Sequence, residues 1–239
     1  MKVPALACQI PHAHTALFPR QASAEAPLAM PGDYAERVSP RGDRFRDGLT
    51  RACLYMASGF DMAEADSIVM CAQTPNLEAL ECFYASCRAT PTPNPTAQGF
   101  AVATTSAGTT SLNIAGGVRG GNLTVSIAAG ATRIGIILAK TYLRSRPGTA
   151  VFLVLPREDA QGIQVSVLEV RGAVDGTWSL PTLGDFGTNK TGHAPETFAD
   201  EPAFLDALEG RLDAPAPSIL DTRALGSSAL ACQEMECPT

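Results

Sequence analysis

Residues Gly99–Leu155 read GFAVATTSAGTTSLNIAGGVRGGNLTVSIAAGATRIGIILAKTYLRSRPGTAVFLVL, and this stretch decides the fold. Small residues between Ser106 and Ala115, with Ala107, Gly108, Ser111 and Ala115 among them, predict a helix that another helix or subunit can approach closely. Gly116-Gly117 and Gly120-Gly121 bracket a turn around Val118 and Arg119, because glycine enters the φ > 0 region without a steric penalty. Leu123, Val125 and Ile127 then alternate with polar residues, as in a half-buried strand. That strand runs into Ala128-Ala129-Gly130-Ala131 and straight into a long apolar helix, a tight strand-turn-helix elbow. The helix places Ile134, Ile137, Leu138 and Thr141 on one face and Arg133, Lys140 and Arg144 elsewhere, and Pro147-Gly148 stops it. Val151 to Leu155 is a continuous apolar run, the pattern of a strand covered on both faces. Together these segments predict a parallel βαβ crossover.

The 239 residues suffice for a sizeable core. A net charge of −6 argues against nucleic acid or an anionic membrane as partner. No apolar run approaches the ~20 residues of a spanning helix, and prolines break the N-terminus too early for a signal peptide, so no membrane insertion and a cytoplasmic location are expected. Seven cysteines without framework spacing predict free thiols rather than disulfides.

Along the rest of the chain, Val3 to Ile10 reads as a strand ended by Pro11, and residues 12–40 as a long connection. Ser39-Pro40 opens a helix carrying Phe45, Leu49, Cys53 and Met56. Ser67 to Ala72 is a short buried strand, and Thr74-Pro75 starts a helix through Leu77, Leu80, Tyr84 and Cys87. ATPTPNPTAQ, residues 89–98, is a proline loop. Gln164 to Val170 alternates and reads as a strand at a sheet edge. Residues 185–196 read as an exposed linker, and Phe204, Leu205, Leu208 and Leu212 as a short amphipathic helix that must dock on something.

This order of elements, with its Gly116-to-Ser126 segment GGVRGGNLTVS, resembles the N-terminal half of β-ketoacyl synthases, members of the thiolase-like superfamily. The resemblance covers about residues 64–172 and is strongest over 91–156. It implies an α/β fold, half of a thiolase-like fold, in which helices pack on a five-stranded mixed sheet. The domain would span residues 1–185, followed by a C-terminal extension, 186–239. Helices on one face alone would leave the other face apolar and call for a partner.

Active ketosynthases carry at the elbow a cysteine whose thiolate takes the acyl chain. The resemblance puts Ala129 at that position, within Ile127-Ala128-Ala129-Gly130-Ala131, where no side chain can attack a thioester. It implies a nucleophile-free, chain-length-factor-like subunit that assists an active ketosynthase in polyketide- or fatty-acid-type chain assembly. Its partners would be a ketosynthase-like subunit, as hetero- or homodimer, and an acyl carrier protein. Ser106, Ala107, Ser111 and the strand Leu123 to Ile127, with Ser126, would lie at the dimer interface, and the turn at Ala129, with Ala128 and Gly130, would line or close an acyl tunnel. Arg119 and Arg133 are open to two readings, plain surface residues or anchors for the partner subunit or the phosphate of a phosphopantetheine arm.

The alternative is an acyl-thioester enzyme with Cys71 or Ser126 as nucleophile; a third reading is an assembly protein unconnected with acyl groups. Against the enzyme, Ser126 has no histidine near it in sequence, and Cys71 ends a buried strand. Cys8, His12 and His14 lie close together but lack a fourth metal ligand, and the Gly116–Gly121 run lacks the lysine and hydroxyl of a P-loop. No metal and no cofactor are expected. His193 sits in a polar segment and reads as solvated.

Overall fold

The structure, a computed structural model, describes residues 6–20, 28–43, 46–75, 77–89, 93–158, 161–181, 194–216 and 218–219. His193 and most of both the 185–196 linker and the C-terminal tail lie outside these residues. The described chain runs β1 (Cys8–Pro19), α1 (Tyr34–Arg37), α2 (Gly48–Ala57), β2 (Ser67–Ala72), α3 (Leu77–Arg88), α4 (Ala97–Ala103), α5 (Ala107–Gly116), β3 (Asn122–Ser126), α6 (Ala131–Ser145), β4 (Ala150–Glu158), β5 (Gly162–Gly172), β6 (Trp178–Leu180), β7 (Glu196–Phe198) and α7 (Glu201–Asp213).

The strands form one mixed sheet in the order β3-β2-β4-β5-β1-β6-β7. β2 lies between β3 and β4 and is parallel to both, so α6 carries the chain across β2 in the expected crossover. β4 and β1 flank β5, each antiparallel to it. The class is the α/β mixed sheet expected, but the sheet has seven strands rather than five. β3-β2-β4-β5-β1 supply five; β6 joins β1 through the Gln9–Ser179 pair, and β7 pairs with β6. Strands of three residues carry too little pattern to be read without their neighbours.

Every residue of β2 is buried, and its alternate side chains enter different cores. Ile68, Met70 and Ala72 join α2, α5 and Phe152 of β4; Val69 and Cys71 join α6, α7 and Leu153 of β4. Helices therefore cover both faces, contrary to the one-face expectation, and the apolar-face argument for a partner does not hold. β5 is central rather than an edge strand. Its polar residues are buried with partners: Ser166 accepts a hydrogen bond from the Thr15 hydroxyl (2.9 Å), and Glu169 takes the Arg171 guanidinium (2.5 Å).

Pro11 does not end β1. The register against β5 shifts between Gln9 and His12, so the proline sits in an irregularity where a missing N–H costs no regular ladder bond, and the strand continues to Pro19. α2 starts at Gly48, not near Ser39, because the Asp47 carboxylate accepts the Thr50 N–H (2.7 Å) and caps it. The predicted face of α6 is also corrected. Thr132, Gly135, Ile136, Ala139, Lys140 and Leu143 are buried, whereas Ile137 is 52% exposed. A Cβ on Gly135 would stand 2.6 Å from Leu153 Cδ1, so glycine lets α6 lie close on β4. Lys140 lies 5.0 Å over the Trp178 ring and donates to Glu201 (2.7 Å), tying α6 to β6 and α7.

Asp66 stitches together the starts of the parallel strands. It is 4% exposed; Oδ1 accepts the Ala150 N–H (2.7 Å) and Oδ2 the Ala63 N–H (2.8 Å). Its own carbonyl lies so near Gly120 that a Cβ there would come within 2.1 Å of it.

Candidate functional site at the elbow

Parallel α/β sheets bind ligands outside the carboxyl ends of their strands. The ends of β2, β3 and β4 open there into a cavity of about 620 Å³. The elbow residues Ile127 to Thr132 form one wall and Cys71 to Thr74 a second. Leu155 to Glu158 close the β4 side, Gln164 and Ser166 come from β5, Leu49 from α2, and Glu209, Leu212 and Asp213 from α7.

The elbow folds as the sequence predicts. Ile127 N–H donates to Ala72 O (2.9 Å), holding β3 to the end of β2, and Gly130 turns the chain at φ 71° into α6. Ala128, Ala129 and Gly130 are exposed on the cavity wall, and their side chains are methyl, methyl and hydrogen. Cys71 lines the same cavity but is 1% exposed, and burial pushes its thiol pKa up to about 11, the opposite of nucleophile activation. The Ser126 hydroxyl donates to Gln73 O (2.8 Å). Among the described residues no histidine lines this cavity. Among the described lining residues Cys71 thus has no imidazole base beside it.

The charges around the cavity are paired. Arg133 donates to Glu209 (2.9 Å) and Asp206 (2.7 Å) of α7, Arg157 to Asp213 (2.6 Å), and Arg20 to Glu158. The carboxylates facing Arg133 raise its pKa, so it stays a guanidinium cation. Thr132, Gln164, Ser166 and the α7 residues join the site without having been singled out in the sequence; the one signal for α7 is the Phe204-Leu205-Leu208-Leu212 stripe, which requires a docking surface.

The other candidates lie apart from the cavity. Ser106 precedes α5 and is exposed, with Ala107 and Ser111 half-buried on that helix, and Thr109 of the same helix shares a hydrogen bond with Thr124 of β3 (2.9 Å). Arg119 is exposed and pairs with Glu64 (3.1 Å). Cys8 is buried in the core beneath α6 and α7, whereas His12 and His14 line a second cavity of about 380 Å³ with Phe60, Glu169 and Arg171. The three grouped in sequence are therefore not brought together. Among the described residues no cluster of three or more His, Cys, Asp or Glu side chains is arranged to hold a metal ion.

No family model matches the sequence, and no curated protein does. Solved structures do match the fold. The chain is similar to the ishigamide ketosynthase/chain length factor, at TM-score 0.58 and 14% identity over 70% of this chain; it spans 62% of that chain's length. It is also similar to a chain of the ketosynthase ApeO in complex with its chain length factor ApeC from Xenorhabdus doucetiae, at TM-score 0.53 and 15% identity, over 90% of this chain and 97% of that one. The likeness is one of fold: this chain shares the ketosynthase-like fold that the resemblance implied. No helix among the described residues is long and apolar enough to cross a membrane.

Proposed function

We propose that this chain is a catalytically silent, chain-length-factor-like subunit that pairs with an active ketosynthase in polyketide- or fatty-acid-type chain assembly. The observation that carries the reading is an elbow, Ile127 to Ala131, whose side chains are only alkyl groups and hydrogen; in this reading Ala129 stands where an active ketosynthase has its cysteine. The elbow opens on a cavity where the thiol of Cys71 is held protonated and no described histidine is present. The likeness to ketosynthase and chain-length-factor chains supports the same reading from the fold side.

β3 supports the pairing. It is the edge of the sheet, its outer backbone groups have no strand partner among the described residues, and Leu123 and Val125 are half-buried. Beside it Ile114 of α5 is 78% exposed. An edge strand of this kind takes an added strand readily. In this reading the partner covers β3 and α5, with Ser106, Ala107 and Ser111 at the seam, while Ala128 to Gly130 close the acyl cavity. Arg119 would then meet the partner, and Arg133 is committed to α7.

Co-expression with ketosynthases encoded beside the gene tests the proposal. A stable heterodimer, with chain elongation that requires both subunits, is expected. Turnover of malonyl or acyl thioesters by the purified chain alone would overturn it, as would a covalent acyl mark on Cys71 or Ser126.

A further inference from the structure

We propose that the second cavity, between β1, β5 and the turn after α2, binds a zwitterionic small molecule, an α-amino acid with an apolar side chain. This cavity of about 380 Å³ lies toward the other end of β5 from the elbow: Gln164 and Ser166 line the elbow cavity, Glu169 and Arg171 this one. Its volume falls in the range of small-ligand sites. It is a separate site, and the inference does not rest on the function proposed above. The register of the sheet sets its polar groups side by side. β1 shifts against β5 between Gln9 and His12, and beyond the shift His12 stands opposite Glu169. Glu169 is 7% exposed, and its Oε1 accepts from Arg171 Nε (2.5 Å), two residues along the same strand. That bond fixes the guanidinium through Nε and leaves its Nη groups with no hydrogen bond among the described residues, on a side chain that is 41% exposed.

The charges select the ligand. An anion alone would face the carboxylates of Glu169 and Asp61, and a cation alone would face Arg171. A molecule that carries both charges one carbon apart matches a carboxylate and a guanidinium that already touch. Its carboxylate takes the planar Nη fork of Arg171. Its ammonium takes Glu169 Oε2, which stands 3.9 Å from His12 Nε2, beyond hydrogen-bond reach of it but close enough for one ammonium to donate to both when Nε2 is unprotonated. Asp61, exposed on the same cavity, adds to the pull on the ammonium. The apolar side chain meets Phe60 and His14, whose ring centroids lie 4.5 Å apart. Both rings are held in place. Phe60 packs edge-on against Phe152 (5.6 Å), and a Cβ on Gly59 would stand 2.9 Å from His14 Nδ1, so glycine lets the turn lie against the imidazole.

L-Leucine, its amide and its N-acetyl derivative, titrated into the full chain with amide chemical shifts recorded, test the assignment. Leucine carries both charges, leucinamide only the ammonium and N-acetyl-leucine only the carboxylate. Leucine should move the amides of residues 59–61 and 169–171 saturably, and each single-charge analogue should bind at least ~10-fold more weakly. Asp61→Asn, a change at an exposed position, should weaken leucine and leucinamide but not N-acetyl-leucine. Arg171→Lys keeps the positive charge without the planar fork and should weaken leucine ~10-fold. The ligand series uses the unmutated chain, so a variant that fails to fold leaves the test intact. No saturable shift with leucine, an analogue that binds as tightly as leucine, or leucine affinity unchanged in both variants overturns the proposal.

Discussion

Cys71 separates a silent subunit from an enzyme, and its chemistry predicts an alkylation rate. Desolvation raises its pKa from the 9.0 of a free thiol to about 11, because the thiolate would lose hydration between β2 and the α6 core without gaining a cation. That displacement is worth about 3 kcal/mol against the thiolate. At pH 8 about one thiol in a thousand would be ionised, against about one in ten for an unperturbed thiol, so thiolate supply alone slows alkylation ~100-fold. Burial at 1% exposure slows it further. Brief treatment of the native protein with iodoacetamide, followed by peptide mass spectrometry, reads Cys71 against Cys82, which is exposed on α3 of the same molecule. The Cys71 rate should climb about tenfold per pH unit up to about pH 11, and in urea it should approach that of Cys82. Alkylation of native Cys71 as fast as Cys82 at pH 8, or a rate that levels off below pH 9, would refute the reasoning and restore Cys71 as a nucleophile.

Three further outcomes follow from the scaffold. Asp66→Ala removes the acceptor for two backbone N–H groups, one at fully buried Ala150, and should cost about 3 kcal/mol in urea unfolding. Asp66→Asn should recover less than half of that loss, since its amide oxygen serves one donor while its NH₂ opposes the other. Gly135→Ala gains about 1 kcal/mol of helix propensity but drives a methyl into Leu153, and overpacking of this kind costs about 1–3 kcal/mol. A net loss of about 1 kcal/mol is expected, and Leu153→Ala should cost less in the Gly135→Ala background than in the parent. Finally, Cys8 (pKa about 12), Cys53 (raised) and Cys71 (about 11) are all acids held neutral by burial. Their contribution to stability is complete below pH 9, where the unfolded thiols are also neutral, and declines as pH rises toward the folded values. Denaturant melts from pH 7 to 11 should show that decline, and Cys71→Ala should make it shallower.

How much of this was legible depended on whether the deciding contacts were local. β2 was readable because every residue of SIVMCA is apolar, and the elbow because Gly130 and the β3 alternation stand next to each other in sequence. In α6 large aliphatic side chains do not mark the buried face, and Ile137 is exposed. Close approach to β4 instead selects Gly135 and Ala139, while Lys140 is buried because Trp178 and Glu201, far along the chain, receive its charge. Pro11 looks like a stop in sequence because the register shift that tolerates it exists only once β5 is alongside. The site divides along the same line. Ile127 to Ala131 announce alkyl and hydrogen side chains from five adjacent residues, but the cavity they open on is closed by Ser166 of β5 and Leu212 of α7, far along the chain. Cys71 likewise ends an apolar run in sequence, and only the packing of β2 against α6 and α7 makes its thiol a buried, neutral one, which is why its alkylation rate tests the chemistry of the site rather than its local fold.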